Sequence, residues 1–262
     1  MESDLSYHDA LAMLDWQVAL GADEAIMDAP VDRFALPDAR KEARKLAVAA
    51  PVVAVETAGS EPVADTRALA AACGDLAALR AAMAAFEGCA LKRGARNLVF
   101  ADGNPAARVM IVGEAPGRDE DREGRPFVGQ SGQLLDRMFA AIGLSRTSDA
   151  EQAIYITNVL PWRPPQNRDP SSEEVAMMKP FLERHIELAA PEVLITMGNT
   201  ATRALLGTAV GITRLRGSWA EAQGRPVMPM FHPAALLRDP EKKRAAWADL
   251  LAVQIRLEGA GG

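Results

Sequence analysis

The stretch "VGEAPGRDED" (112–121) follows an apolar run and has the outline of a phosphate-binding turn, yet it holds Glu114, Asp119, Glu120 and Asp121. A phosphate cradle works by aiming backbone N–H groups at an anion, and carboxylates in the same loop oppose that field. The glycine spacing also fits neither GxGxxG nor GxxxxGK[ST]. This loop is therefore suited to a neutral ligand, or to one that becomes positively charged as it reacts. A carboxylate in such a place can orient water, accept a proton or stabilise a cationic transition state.

The elements that position this loop are legible around it. "ARVMIVGE", "AIYITNVL", "EVLITMG" and "PVMPMFH" read as buried strands, and they alternate with helices at 131–144, 171–190, 199–207 and 241–259. Ser171 followed by Glu174 is a capping box at the start of the second of these helices. Alternation of this kind predicts an α/β protein with a central four-stranded, mostly parallel sheet. In such sheets the ligand crevice lies beyond the carboxyl ends of the strands. That rule selects Glu114, Asn158 in "YITNVLPWRPP", "GNT" at 198–200 and His232 in "FHPAALLR".

Residues 1–85 read as an N-terminal extension: a helical stretch at 7–26, a Pro/Ala/Val linker at 46–65 and one Ala-rich helix at 65–88 that leads into a domain spanning 86–262. The extension carries 7 Lys/Arg against 14 Asp/Glu and the domain 22 against 21, so the formal net charge of −6 belongs to the extension. "RPPQNR", "RLR" and "RDPEKKR" can then form a local phosphate-binding face, or an ordinary solvated surface. No apolar run is long enough for a membrane span, and the acidic, polar N-terminus does not resemble a secretory signal. Cys73 and Cys89 cannot build a disulfide framework. A soluble, cytoplasmic monomer without membrane contact is expected.

"GNPAARVMIVGEAPGRDEDREGRPFVGQSGQLLD", "YITNVLPWRPPQNRDPSSEEV" and "FHPAALLRDPEKKRAAWADL" resemble, in order, the successive motifs of family-4 uracil-DNA glycosylases. The resemblance runs from about residue 86 to the C-terminus and implies a three-layer α/β/α fold and excision of uracil from DNA by cleavage of the N-glycosidic bond. It places Phe127 as the surface on which a flipped base stacks. Asn158 matches the base-reading residue, whose amide can satisfy both N3–H and O4 of uracil and mismatches cytosine. His232 matches the motif histidine that hydrogen-bonds uracil O2, and Glu114 the carboxylate that serves the attacking water. Glu120 matches a position near C5, where a side chain excludes the thymine methyl group. Asp119 and Asp121 are expected to be solvated or helix-capping. Leu236 and Leu237 either wedge into the duplex, with Arg238 on a phosphate, or begin the apolar face of the last helix. Arg163 is a further DNA contact, and Trp162 is expected at the pocket rim or on DNA.

The resemblance also implies four cysteines around a [4Fe–4S] cluster. Here Cys89 alone falls on such a position: its CxxC partner is Phe86, the helix position of the third ligand is Met178, and no cysteine follows residue 89. No cofactor and no metal are therefore expected, with apolar packing by Phe86 and Met178 in place of a cluster. Uracil-containing DNA is the expected partner. The recognised motifs place no lysine for a Schiff base, so a monofunctional hydrolase that leaves an abasic site is expected. Two other readings stand beside it. One is a protein that binds or traps uracil-DNA with little turnover, though "VGQSGQLLD" after Phe127 lacks the basic loop and histidine expected of a trapping relative. The other is a nucleotide-binding α/β domain, which the acidic first loop disfavours.

Overall fold

The computed structural model describes residues 60–259; the helical stretch expected at 7–26 lies outside them. Four parallel strands form the centre: β2 (Val109–Gly113), β3 (Ile154–Asn158), β4 (Val193–Met197) and β6 (Arg225–Met230), the four read from the sequence. Two short edge strands, β1 (Asp102–Gly103) and β5 (Ala220–Ala222), pair antiparallel on the outside, giving the order β1-β3-β2-β4-β6-β5. With two and three residues, neither edge strand has a run long enough to show a period of two.

Every residue of β2, β3 and β4 is buried, as expected when helices cover both faces of a parallel sheet. Alternation along the strands then sorts side chains into two cores. Met110, Val112, Tyr155, Leu194 and Val227 face one way and join Leu79, Met178 and Phe181. Val109, Ile111, Ile154, Ile156, Ile195 and Met228 face the other and join Leu135, Phe139, Leu250 and Val253.

The first layer contains α1 (Ser60–Ala71), α2 (Leu76–Ala85) and the long α5 (Ser172–Ala189). The single Ala-rich helix expected at 65–88 is two helices. Asp75 caps the second, its carboxylate accepting the Ala78 N–H at 2.7 Å, and Gly74 between them gives no helical support. Both helices pack on α5, and Ala70, Cys73, Leu79 and Met83 share a core with it. The capping box forms as read: Ser171 Oγ accepts the Glu174 N–H, and Glu174 accepts the Ser171 N–H at 2.8 Å.

The opposite layer holds α4 (Gln130–Ala140) and α9 (Lys243–Gly259). Between these layers, short elements follow the strand ends: α3 (Arg118–Glu123) after β2, α6 (Gly198–Leu206) and α7 (Ile212–Leu215) after β4, and α8 (Pro233–Arg238) after β6. Among the described residues no helix is long and apolar enough to cross a membrane.

Candidate active site

A cleft of about 890 Å³ opens at the carboxyl ends of all four parallel strands. β2 delivers Glu114, β3 ends on Asn158, β4 runs into Gly198, Asn199 and Thr200, and β6 leads to His232, all lining the cleft. Parallel pairing in register is what gathers them: Gly113 lies opposite Asn158, so the residues that follow emerge side by side.

Close approach of backbone completes the gathering. A side chain at Gly113 would collide with both Asn158 Oδ1 and the Phe127 ring. At Gly198, where φ is +88°, an added carbon would stand 3.2 Å from His232 Cβ. These two glycines let the Asn158 amide, the Phe127 ring and the His232 imidazole share one space. The Phe127 ring lies 5.4 Å from that of His232, with planes inclined by 28°.

His232 is the N-cap of α8, and its Nδ1 accepts the Ala234 N–H at 3.1 Å. In the neutral ring the proton must then sit on Nε2, which becomes a donor. Burial pushes the His232 pKa down to about 4, the positive Arg238 adds to the drop, and Glu120 opposes it. The imidazole is neutral near pH 7.

Glu114 behaves oppositely. Burial raises its pKa, the Thr200 hydroxyl pulls it back by hydrogen bonding, and the negative Asp169 adds to the rise. In its ionised form such a carboxyl is a better proton acceptor than an exposed glutamate. Thr200 lies in the GNT stretch that the crevice rule selected, whereas Asp169 was not singled out from the sequence and looks like an ordinary loop residue until the fold brings it to Glu114.

Glu120 lines the cleft, and its carboxylate is engaged with backbone: Oε1 accepts from Val128 and Gly129 at 3.0 and 2.9 Å, and Oε2 from Gly117 at 3.1 Å. Asp119 also lines the cleft and pairs with Arg122 at 3.2 Å. Asp121 departs from the solvated role expected of it. It is buried and accepts the N–H groups of Arg96 and Asn97 at 2.8 and 3.2 Å, tying the preceding segment to α3.

The expected exposed leucine pair is split. Leu236 is 1% exposed and packs with Ile212, Phe231 and Ala246, whereas Leu237 is 41% exposed and lines the cleft beside Arg238. Consecutive residues of a helix point about 100° apart, so α8 can bury one only by presenting the other. Leu236 is therefore core and not a wedge. Trp162 also departs from the rim position expected of it: at 2% exposure it belongs to the core beneath α5 and is outside the cleft lining. Arg163 lies outside the cleft lining and donates to Asn167 Oδ1 at 2.7 Å, while Arg168 and Arg203 join Arg238 in the lining.

The family model described as the Uracil DNA glycosylase superfamily matches residues 100–251. This chain belongs to that superfamily. The type-4 uracil-DNA glycosylase of Archaeoglobus fulgidus is 40% identical over 169 residues, covering 62% of this chain and 82% of its own. That of Sulfurisphaera tokodaii is 37% identical over 175 residues, 63% of this chain and 77% of its own. The type-5 enzyme of Pyrobaculum aerophilum is 34% identical over 146 residues, 51% and 64% respectively.

The residues of this superfamily member do not fit the iron–sulfur cluster that the family resemblance implies. Its 262 residues contain two cysteines, short of the four thiolates such a cluster takes. Cys89 is 1% exposed, in a core shared with Met178 and Phe181, and burial raises its thiol pKa. Phe86 packs edge-on to Phe181, with ring centroids 5.7 Å apart. Cys73 Sγ donates to the Leu69 carbonyl at 3.2 Å, as a helix residue packed in the same core does.

Proposed function

We propose that this chain excises uracil from DNA, hydrolysing the N-glycosidic bond of a flipped-out deoxyuridine and leaving an abasic site. The observation that carries the reading is the tautomer of His232. Its Nδ1 is occupied by the Ala234 N–H, so a neutral Nε2–H donor faces the same cleft as Glu114, Asn158 and Phe127.

In this reading the Phe127 ring supports the flipped base, and the Asn158 amide reads N3–H and O4. The C1′–N1 bond breaks heterolytically, and its electron pair stays on uracil N1. The Nε2–H of His232 hydrogen-bonds O2, where much of that negative charge is delocalised, with no proton transfer needed. The Glu114 carboxylate stabilises the cationic sugar and accepts a proton from the water whose oxygen bonds to C1′. Glu120 holds the Phe127 loop against α3 and stands where a C5 methyl group would enter. Leu237 occupies the gap left by the flipped base, and Arg238 and Arg163 contact phosphates. The apolar packing of Phe86, Cys89, Met178 and Phe181 replaces a cluster, and the protein works in the cytoplasm as a monomer without a cofactor.

The test is incubation with a labelled oligonucleotide holding one uracil, followed by alkali, beside a thymine control. Strand breakage confined to uracil and lost in Glu114→Ala and His232→Ala supports the reading. Uracil-selective retention in a gel without breakage would replace it with a binding protein.

A further inference from the structure

The loop that carries Phe127 is held in a conformation it would not choose. Phe127 has φ +53°, a left-handed region that bulky side chains normally leave. Glu120 grips the amides that follow it, at Val128 and Gly129. Gly132 allows α4 to approach so closely that any side chain there would collide with the Phe127 carbonyl oxygen.

The third restraint comes from Arg146, which is outside the cleft lining. Its Nη1 donates to the Pro126 carbonyl at 3.1 Å and its Nη2 to the Phe127 carbonyl at 3.0 Å. The rest of the guanidinium is engaged by two carboxylates: Nη1 with Asp102 at 2.8 Å and Nε with Asp136 at 2.9 Å. The Arg146 side chain is 12% exposed and that of Asp102 20%. Only a planar fork of fixed donors can meet two carbonyls and two carboxylates at once; an ammonium cannot span them.

We propose that Arg146 is a positioning residue for base recognition: anchored by Asp102 and Asp136, it clamps the carbonyls of Pro126 and Phe127 and so fixes the Phe127 ring before the base arrives. The inference rests on the reading that Phe127 stacks the flipped base. A stacking surface fixed in advance spares the cost of ordering it during binding.

The test is a double-mutant cycle in the full chain, comparing Arg146→Gln, Phe127→Ala and their combination, with Arg146→Lys as the conservative variant. Single-turnover excision over a range of enzyme concentrations gives the maximal rate and the half-saturating concentration, with a thermal melt of each protein. Arg146→Gln is expected to lower the ratio of rate to half-saturation by about 10- to 100-fold, the scale set by small misplacements at a reacting centre. In the Phe127→Ala background the same change should add less than about 2-fold, because its target is gone. Arg146→Lys should recover part of the loss. Losses that multiply fully in the two backgrounds would overturn the proposal and leave Arg146 a structural residue. A silent Phe127→Ala would instead sink the stacking reading itself. If Arg146→Gln does not fold, Arg146→Lys is carried through the same cycle with the same criteria.

Discussion

The two ends of the chain's sequence motifs have fared differently in the folded molecule. At the carboxyl ends of the strands, Glu114, Asn158 and His232 converge on one cleft with Phe127. Beneath α5, where the resemblance implies cluster ligands, Phe86, Met178 and Phe181 pack around Cys89 as hydrocarbon. The difference teaches that the cleft is built by the sheet and its glycine contacts, while the segment under α5 needs only something that fills its volume. A polar site demands particular atoms at particular distances, whereas an apolar core accepts many combinations of similar size.

The largest effect expected on the cleft side is from Glu114→Gln, which should lower single-turnover excision by roughly 10²- to 10³-fold, the range for losing a catalytic base or electrostatic partner. Its melting temperature should stay close to that of the parent. A large loss of stability with little loss of rate would break the comparison.

On the packing side, Phe181→Ala should destabilise by about 3–5 kcal/mol, measured by urea unfolding, while the folded fraction keeps its excision rate. Purified protein should be colourless and free of iron by elemental analysis. Brown colour with stoichiometric iron would erase the distinction between the two regions.

α8 offers a sharper version of the same contrast within two residues. Leu236→Ala should cost about 2–4 kcal/mol of stability, whereas Leu237→Ala should leave stability within about 0.5 kcal/mol and weaken excision from duplex DNA more than from a single strand.

The smallest effects are in pH dependence. In the proposed role Glu114 acts as a carboxylate, so excision should fall with acid at a pH above the usual glutamate range, because burial raises that pKa. His232, with a pKa of about 4, titrates below the midpoint of that limb. Stability should respond separately through His185, which stacks on Phe100 at 4.4 Å and whose Nε2 shares a 2.9 Å hydrogen bond with the Tyr155 hydroxyl. Burial lowers its pKa to about 4, so the unfolded chain binds a proton that the folded one refuses. Its contribution is full above about pH 6.5 and is lost as pH falls toward 4, on the order of 3 kcal/mol in all. His185→Gln should flatten that part of a stability–pH curve without moving the excision profile.

Much of the fold was legible because continuous apolar strands and an Ser171/Glu174 capping box are local signals. The crevice rule then found Glu114, Asn158 and His232 from chain order alone. What stayed hidden has a common cause. Asp169 matters only through Glu114, and Arg146 only through the carbonyls of Pro126 and Phe127, contacts between segments far apart in sequence. Leu236 and Leu237 look alike in the sequence and are separated by a rotation of about 100° on one short helix.

The four central strands and the helices that alternate with them, the residue types at the strand ends and the shortage of thiolates are legible in the sequence, since each is written in local pattern or simple count. Only the tertiary structure decided which nitrogen of His232 keeps its proton, which leucine faces the cleft and what holds Phe127 in a left-handed turn. Those outcomes depend on hydrogen bonds and contacts whose partners the chain brings together only on folding.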